Sequence, residues 1–151
     1  MTALAPKTNR EVVQRYVDAL TARDLDAQAE VCAPDMVTEY PQSGERFRGW
    51  ANIRAVAENY PGGLPKNLKS KVIGSEDKWV AGGPNFHILR IEGTGDVYTL
   101  IGSATYPDGM TWQIMSLIEL RNGKIAKTTE LYAAPFDAPE WRSRWAERSS
   151  R

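Results

Sequence analysis

The 151 residues contain a single cysteine, Cys32, and a single histidine, His87. One cysteine cannot form an intramolecular disulfide, so a reducing compartment, the cytoplasm, is the expected setting. A Cys/His zinc site needs more ligands than these two residues supply, so neither a metal nor another cofactor is expected. Any Ser-His-Asp or Cys-His chemistry would have to run through His87. An excess of one charge is also missing: 19 Lys and Arg stand against 19 Asp and Glu. Without a basic field, nucleic acid and anionic membrane surfaces are not expected partners. No apolar run approaches the ~20 residues that span a bilayer. The opening MTALAPKTNR lacks a basic start followed by an apolar stretch, so no signal peptide is expected. Carboxylates, tyrosines and hydroxyls remain as the groups able to do chemistry.

Hydrophobic residues make up 42% of the chain, which is too apolar for a disordered protein. The length fits one domain, expected over 8–148 with flexible ends at 1–7 and 149–151. Val13, Tyr16, Val17 and Leu20 recur at helical spacing and predict a helix from Asn9 to Ala22, capped by Thr8 or Asn9. Asp24 predicts the start of a second helix over Leu25 to Cys32, ended by Pro34. A strand from Met36 to Tyr40 turns through Pro41-Gln42-Ser43-Gly44 into a second, Glu45 to Arg48. A third helix is predicted from Trp50 to Tyr60, stopped by Pro61-Gly62-Gly63.

The remainder reads mostly as strand. Lys69 to Ser75 alternates weakly, and Trp79 to Pro84 is irregular. Phe86 to Ile91 and Val97 to Tyr106 form a hairpin around Gly93-Thr94-Gly95-Asp96. That glycine pair lacks the following helix that a phosphate-binding loop requires, so it reads as a turn. Thr111 to Arg121 and Lys124 to Tyr132 are joined by Asn122-Gly123, the strongest hairpin signal in the chain. Asp137 to Glu140 resembles a capping box that opens a terminal helix. Trp141 and Trp145, one turn apart, are expected to dock that helix on the sheet or on a partner. Segregated helices and strands predict an α+β fold. Its expected form is a cone-shaped curved antiparallel sheet wrapped over N-terminal helices, with a short C-terminal helix. A small ligand could sit between the two layers.

Three stretches carry a family resemblance: VVQRYVDALTARDLDA, CAPDMVTEYPQSGERFRGWANIRAVAENY and LIELRNGKIAKTTELYAAPF. Together they resemble the nuclear transport factor 2-like superfamily, especially its SnoaL-like and ketosteroid-isomerase-like members. The resemblance implies a cystatin-like α+β barrel. It also implies a choice among cofactor-free isomerase, cyclase or hydrolase chemistry and simple binding. Tyr16 matches the oxyanion-stabilising tyrosine of ketosteroid isomerases. Tyr40 stands where their carboxylate base would be, with Glu39 one position earlier, and Ser116 stands where their second oxyanion-hole acid would be. Two of those three roles have changed chemistry, so a standard steroid isomerase is not expected. Glu130 matches one acid of the epoxide-hydrolase Asp-Arg-Asp set, but no Arg/Asp pair accompanies it on Val97 to Tyr106.

These considerations select candidate residues. Alternation puts Ala126, Thr128, Glu130 and Tyr132 on one face of the last strand, with Lys124 at its start, and Ile125, Lys127, Thr129 and Leu131 on the other. The strand alone does not say which face is inside; the resemblance puts Glu130 there. Burial would raise its pKa and suit it to general acid or base work. Glu130 and Tyr16 are therefore the catalytic candidates. Tyr40, Trp50, Trp112, Ser116 and Tyr132 are the ligand-binding candidates. Trp112, Ile114, Ser116, Ile118 and Leu120 share a face that must be buried, and a plain core is the expectation for Ile114, Ile118 and Leu120. Met115 and Leu117 make the opposite face half apolar, which points to a covering surface and to a homodimer. His87, reading alongside Leu89 and Ile91, and Cys32 are expected to be structural. The function expected is binding of a small apolar or aromatic ligand. If there is catalysis, it acts on a small apolar carbonyl or epoxide compound. The alternative is a non-catalytic ligand-binding or dimeric interaction domain.

Overall fold

Thr8 opens the first helix: its Oγ1 accepts from the Glu11 backbone N–H at 3.2 Å. Helix α1 runs Asn9–Ala22 and buries Val12, Val13, Tyr16 and Val17 along one stripe. It ends at Arg23, a left-handed residue (φ 56°) whose N–H and that of Asp24 take up the last free carbonyls. Asp24 at once caps α2, Leu25–Val31, by accepting from the Ala27 N–H at 2.9 Å. The computed structural model describes residues 8–60 and 85–149. The expected strand Lys69 to Ser75 and the irregular stretch Trp79 to Pro84 lie outside the described residues, as do 1–7 and 150–151.

Strand β1, Cys32–Tyr40, follows α2 without a loop and starts four residues before the expected Met36. It pairs with β6 at Cys32↔Ile125, then slips before resuming at Val37↔Lys127. Pro34, which has no N–H to donate, falls in the slipped stretch. The other elements are β2 (Glu45–Arg48), α3 (Trp50–Glu58), β3 (Asn85–Thr94), β4 (Val97–Thr105), β5 (Thr111–Arg121) and β6 (Lys124–Ala133). Among the described residues one six-stranded sheet results, in the order β2-β1-β6-β5-β4-β3. The α+β architecture is as expected, with two differences. The sheet is mixed, because β1 and β6 run parallel while all other pairs are antiparallel. Among the described residues it is also open, with β2 and β3 at its edges, rather than closed into a barrel.

Asn122 and Gly123, at φ 52° and 73°, make the two-residue turn that Asn-Gly predicts between β5 and β6. Asn9 of α1 ties the helix layer to the β3–β4 turn: its Nδ2 donates to the Gly95 carbonyl at 2.8 Å and to Asp96 Oδ1 at 2.9 Å.

The strand registers stack the inner face into layers. The first joins Gly93, Tyr98, Ile118, Thr128 and Thr38. The second joins Ile91, Leu100, Ser116 and Glu130, and the third Ile88, Gly102, Ile114 and Tyr132. Phe86, Ala104 and Trp112 form a fourth. Val13, Met36, Ile118 and Ile125 are fully buried at the centre. Each contributes about 1.5–3 kcal/mol by leaving water.

Two bulges overturn simple alternation. Ala126 is the extra residue between the pairs Glu119↔Lys127 and Leu120↔Ile125. Ile125 therefore turns inward with Thr128, Glu130 and Tyr132, while Lys124 is exposed and Ala126 half-buried. On β3 the pairing slips at Leu89. Phe86, Ile88 and Ile91 pack on the core, whereas His87 and Leu89 are exposed. His87 therefore does not share the face of Ile91.

The terminal helix also differs. Glu140–Trp145 is a 3₁₀ helix with no side-chain cap at Pro139. Trp141 and Trp145, 73% and 71% exposed, dock on nothing among the described residues beyond their own Arg142 and Arg144. A six-residue 3₁₀ segment spaces its side chains near three per turn, so the i,i+4 pair of Trp residues does not form one packing face.

Candidate active site

Glu130 is 9% exposed and points from β6 into the space between sheet and α1. It sits there because the Ala126 bulge sets the phase of β6, and because Ser116 lies directly across on β5. Tyr16 reaches the same space from the buried stripe of α1, with Leu20 one turn further along. Tyr16, Leu20, Phe86, Ile88, Leu100, Ile114, Ser116, Ile118, Glu130 and Tyr132 enclose a cavity of about 10 Å³. That is room for about one water molecule.

The electrostatics follow from burial. Desolvation pushes the Glu130 carboxyl up to about 7, partly opposed by a hydrogen bond from the Tyr40 hydroxyl. Among the described residues no cation offsets that desolvation. The Tyr16, Tyr40 and Tyr132 phenols are all raised above their ordinary range, first by burial and then by the nearby Glu130 charge. They stay protonated at neutral pH and can act only as neutral hydrogen-bonding groups. Tyr106 lies beyond them, packs its ring on Trp112 with centroids 5.5 Å apart, and has the Tyr60 phenol as a polar neighbour. Five of the six tyrosines thus surround or extend from one carboxylate.

The structure brings Glu130, Tyr16, Ser116 and Tyr132 together around the cavity. Tyr40 joins them as the neighbour of Glu130 across the β1–β6 pair rather than as a lining residue. Trp50 packs on the core at the start of α3, and Trp112 packs on Tyr106; neither lines the cavity. Ile114 and Ile118, expected as plain core, do line it. The sequence reading missed Leu20, Phe86, Ile88, Leu100, Tyr60 and Tyr106. Tyr106 was accessible, since it continues the inward series Tyr98, Leu100, Gly102, Ala104. Phe86 and Ile88 were hidden by the bulge at Leu89.

Two other observations bound the site. Among the described residues no three of His, Cys, Asp and Glu stand together as ligands for a metal ion. No helix among them is long and apolar enough to cross a membrane. A larger open groove of about 650 Å³ lies between α1 and β3, along Arg10, Asp18, His87 and Arg90. Neither Glu130 nor any tyrosine lines it, so it is not the candidate site.

Known structures place this arrangement. A nuclear transport factor 2-like protein of unknown function from Burkholderia xenovorans is 30% identical, with a TM-score of 0.70 over 94% of this chain and 95% of that one. A candidate ketosteroid isomerase from Kribbella flavida is 20% identical, with a TM-score of 0.75 over 95% and 90%. A candidate polyketide cyclase from Sinorhizobium meliloti is 20% identical, with a TM-score of 0.56 over 80% and 94%. The last two show the shared fold. No curated protein matches the sequence. The SnoaL-like domain model matches residues 13–128, from the middle of α1 into β6, the strand that carries Glu130, and the chain belongs to that family.

Proposed function

We propose that the protein is a cofactor-free acid/base enzyme for a small, mostly apolar carbonyl or epoxide compound. Glu130 acts as the proton-transfer group. The observation that carries this reading is a buried carboxyl facing a mostly apolar cavity; burial pushes its pKa up to about 7, which divides it between acid and base at neutral pH. Such a group can take a proton from carbon or give one to oxygen with little driving force lost either way. Tyr16 from α1 and Ser116 from β5 bring neutral hydroxyls to the same cavity. Their role is to steady the oxygen on which negative charge develops. The apolar walls, Leu100, Ile114 and Ile118, exclude water and keep the Glu130 pKa high.

The test is proton exchange. The protein is incubated in D₂O with small saturated and unsaturated ketones and with epoxides, and deuterium uptake or ring opening is followed by NMR. Glu130→Gln is expected to slow the reaction by about 10²–10⁴. A variant that keeps the full rate sinks the reading.

A second reading is a non-catalytic binder. The mostly apolar lining favours it, since Leu20, Phe86, Leu100 and Ile114 offer a ligand contact area and no chemistry. Ligands that raise the melting temperature of wild type and Glu130→Gln alike, with no exchange in either, would select it. In either reading we propose a homodimer, formed by the half-apolar outer face of the sheet.

A further inference from the structure

We propose that Tyr40 is the positioning residue of the Glu130 carboxyl: its hydroxyl, fixed by the β1–β2 hairpin, holds that carboxyl in one orientation and leaves its free side to the cavity. The inference rests on the reading of Glu130 as the proton-transfer group.

The geometry is specific. Thr38↔Thr128 and Glu39↔Thr129 are paired in parallel register, so Tyr40 comes level with Glu130 on the neighbouring strand. The Tyr40 hydroxyl is the polar neighbour that lowers the proton affinity of the Glu130 carboxyl against the pull of burial. The Tyr40 ring has little freedom. Phe47 of β2 meets it edge-on at 5.3 Å between centroids, and Tyr132 meets it at 6.3 Å, nearly perpendicular. Its backbone is held as well: the Tyr40 carbonyl accepts from the N–H groups of Ser43 at 3.2 Å and Gly44 at 2.8 Å, closing the turn. The same turn reaches β6, where Gln42 Oε1 accepts from the Tyr132 N–H at 2.6 Å. One hairpin thus fixes the donor, the ring beside it and the strand that carries the acceptor.

Tyr40 does not line the cavity, so it acts on Glu130 and not on a ligand. Among the described residues, the titratable groups facing Glu130 are Tyr16 from α1, Tyr40 from β1 and Tyr132 from its own strand. Of these three, Tyr40 alone acts on the carboxyl as a hydrogen-bonding group rather than through charge. A donor stabilises the ionised form, so Tyr40 holds down a proton affinity that burial alone would raise further.

The test is a carboxyl ¹³C NMR titration of the whole chain, with Glu130→Gln identifying the resonance. Tyr40→Phe removes one hydroxyl and keeps the ring contacts. It is expected to move the Glu130 midpoint upward by about one pH unit. Tyr16→Phe is expected to move it by less than half as much. A Tyr40→Phe midpoint equal to wild type, or a larger shift from Tyr16→Phe, overturns the proposal. The wild-type protein provides a second readout that needs no variant fold. The Tyr40 ring ¹³Cζ signal is expected to step at the Glu130 midpoint, and a flat signal overturns the proposal. These measurements need no substrate. Undiminished exchange in Glu130→Gln would remove the enzyme reading and leave the Tyr40–Glu130 relation standing.

Discussion

Thr38 and Thr128 share a buried hydrogen bond, Oγ1 to Oγ1 at 2.8 Å, across the parallel pair of strands β1 and β6. Thr128 is fully buried and Thr38 is 4% exposed. The pair fixes the register that brings Tyr40 level with Glu130 two residues further along both strands. A one-residue slip would turn Tyr40 to the outer face. Removing one hydroxyl leaves the other buried without its partner, whereas removing both leaves two apolar groups in contact. Thr128→Val alone is expected to cost about 1–3 kcal/mol in urea unfolding, and the double Thr38→Val/Thr128→Val variant less than Thr128→Val alone. Additive losses would show that the two hydroxyls do not act as a pair.

Glu130 makes stability depend on pH. Its folded pKa, about 7, lies above the ordinary value of 4.5, so the fold prefers the protonated form. The stability this form provides is full below pH 4.5 and is lost as pH rises through 7. The gap corresponds to about 3 kcal/mol. Glu130→Gln imitates the protonated carboxyl at every pH. It is expected to match wild type within about 0.5 kcal/mol below pH 4.5, and to exceed it by about 2–3 kcal/mol above pH 8. The ion pairs of Glu39 and Glu92, which hold those carboxyls low, are common to both proteins and cancel in the comparison. An advantage of equal size at both pH values would mean that Glu130 ionises freely in the folded state.

Cys32 gives an independent check on the core. It is 4% exposed, and burial pushes its thiol up to about 12, only partly offset by Lys124. At about pH 8 roughly one thiol in ten thousand is ionised. Native protein is expected to react with a disulfide reagent at least 100-fold more slowly than the same protein in denaturant. Native labelling at the unfolded rate would show that the α2–β1 junction opens readily.

What could be read from the sequence was whatever depends on local chemistry. Thr8, Asp24 and Asn122-Gly123 announce caps and a turn through their own side chains or allowed φ values, and they are where they were expected. Glu130 was placed inside by family resemblance, and its raised pKa then follows from burial alone. The site is less legible where it depends on pairing between distant strands. The bulges at Ala126 and Leu89 reverse the phase of half a strand each, and nothing in the residues themselves marks them. The bond from Tyr40 to Glu130 needs a parallel register across 90 residues of sequence, so Tyr40 read only as a pocket wall. Trp141 and Trp145 had the spacing of a packed helix, but a 3₁₀ segment does not bring both to one face.

The outer face of the sheet carries the last prediction. Ile101, Met115 and Leu131 stand side by side on β4, β5 and β6, with Leu117 next along β5. Met115, Leu131 and Leu117 are 49%, 42% and 38% exposed. Beside this row, Glu39 bridges Arg46 at 2.7 Å and Lys127 at 3.3 Å, giving the apolar strip a polar border. An apolar centre with a charged rim suits a self-complementary two-fold contact. Wild type is expected to run as a dimer in light-scattering chromatography at micromolar concentration. Met115→Lys/Leu131→Lys is expected to run as a monomer with an unchanged circular dichroism spectrum, because both side chains already point away from the core. Trp141→Ala/Trp145→Ala is expected to remain dimeric. A monomeric wild type rejects the dimer, and dissociation by the tryptophan pair alone moves the contact from the sheet to the C-terminal segment.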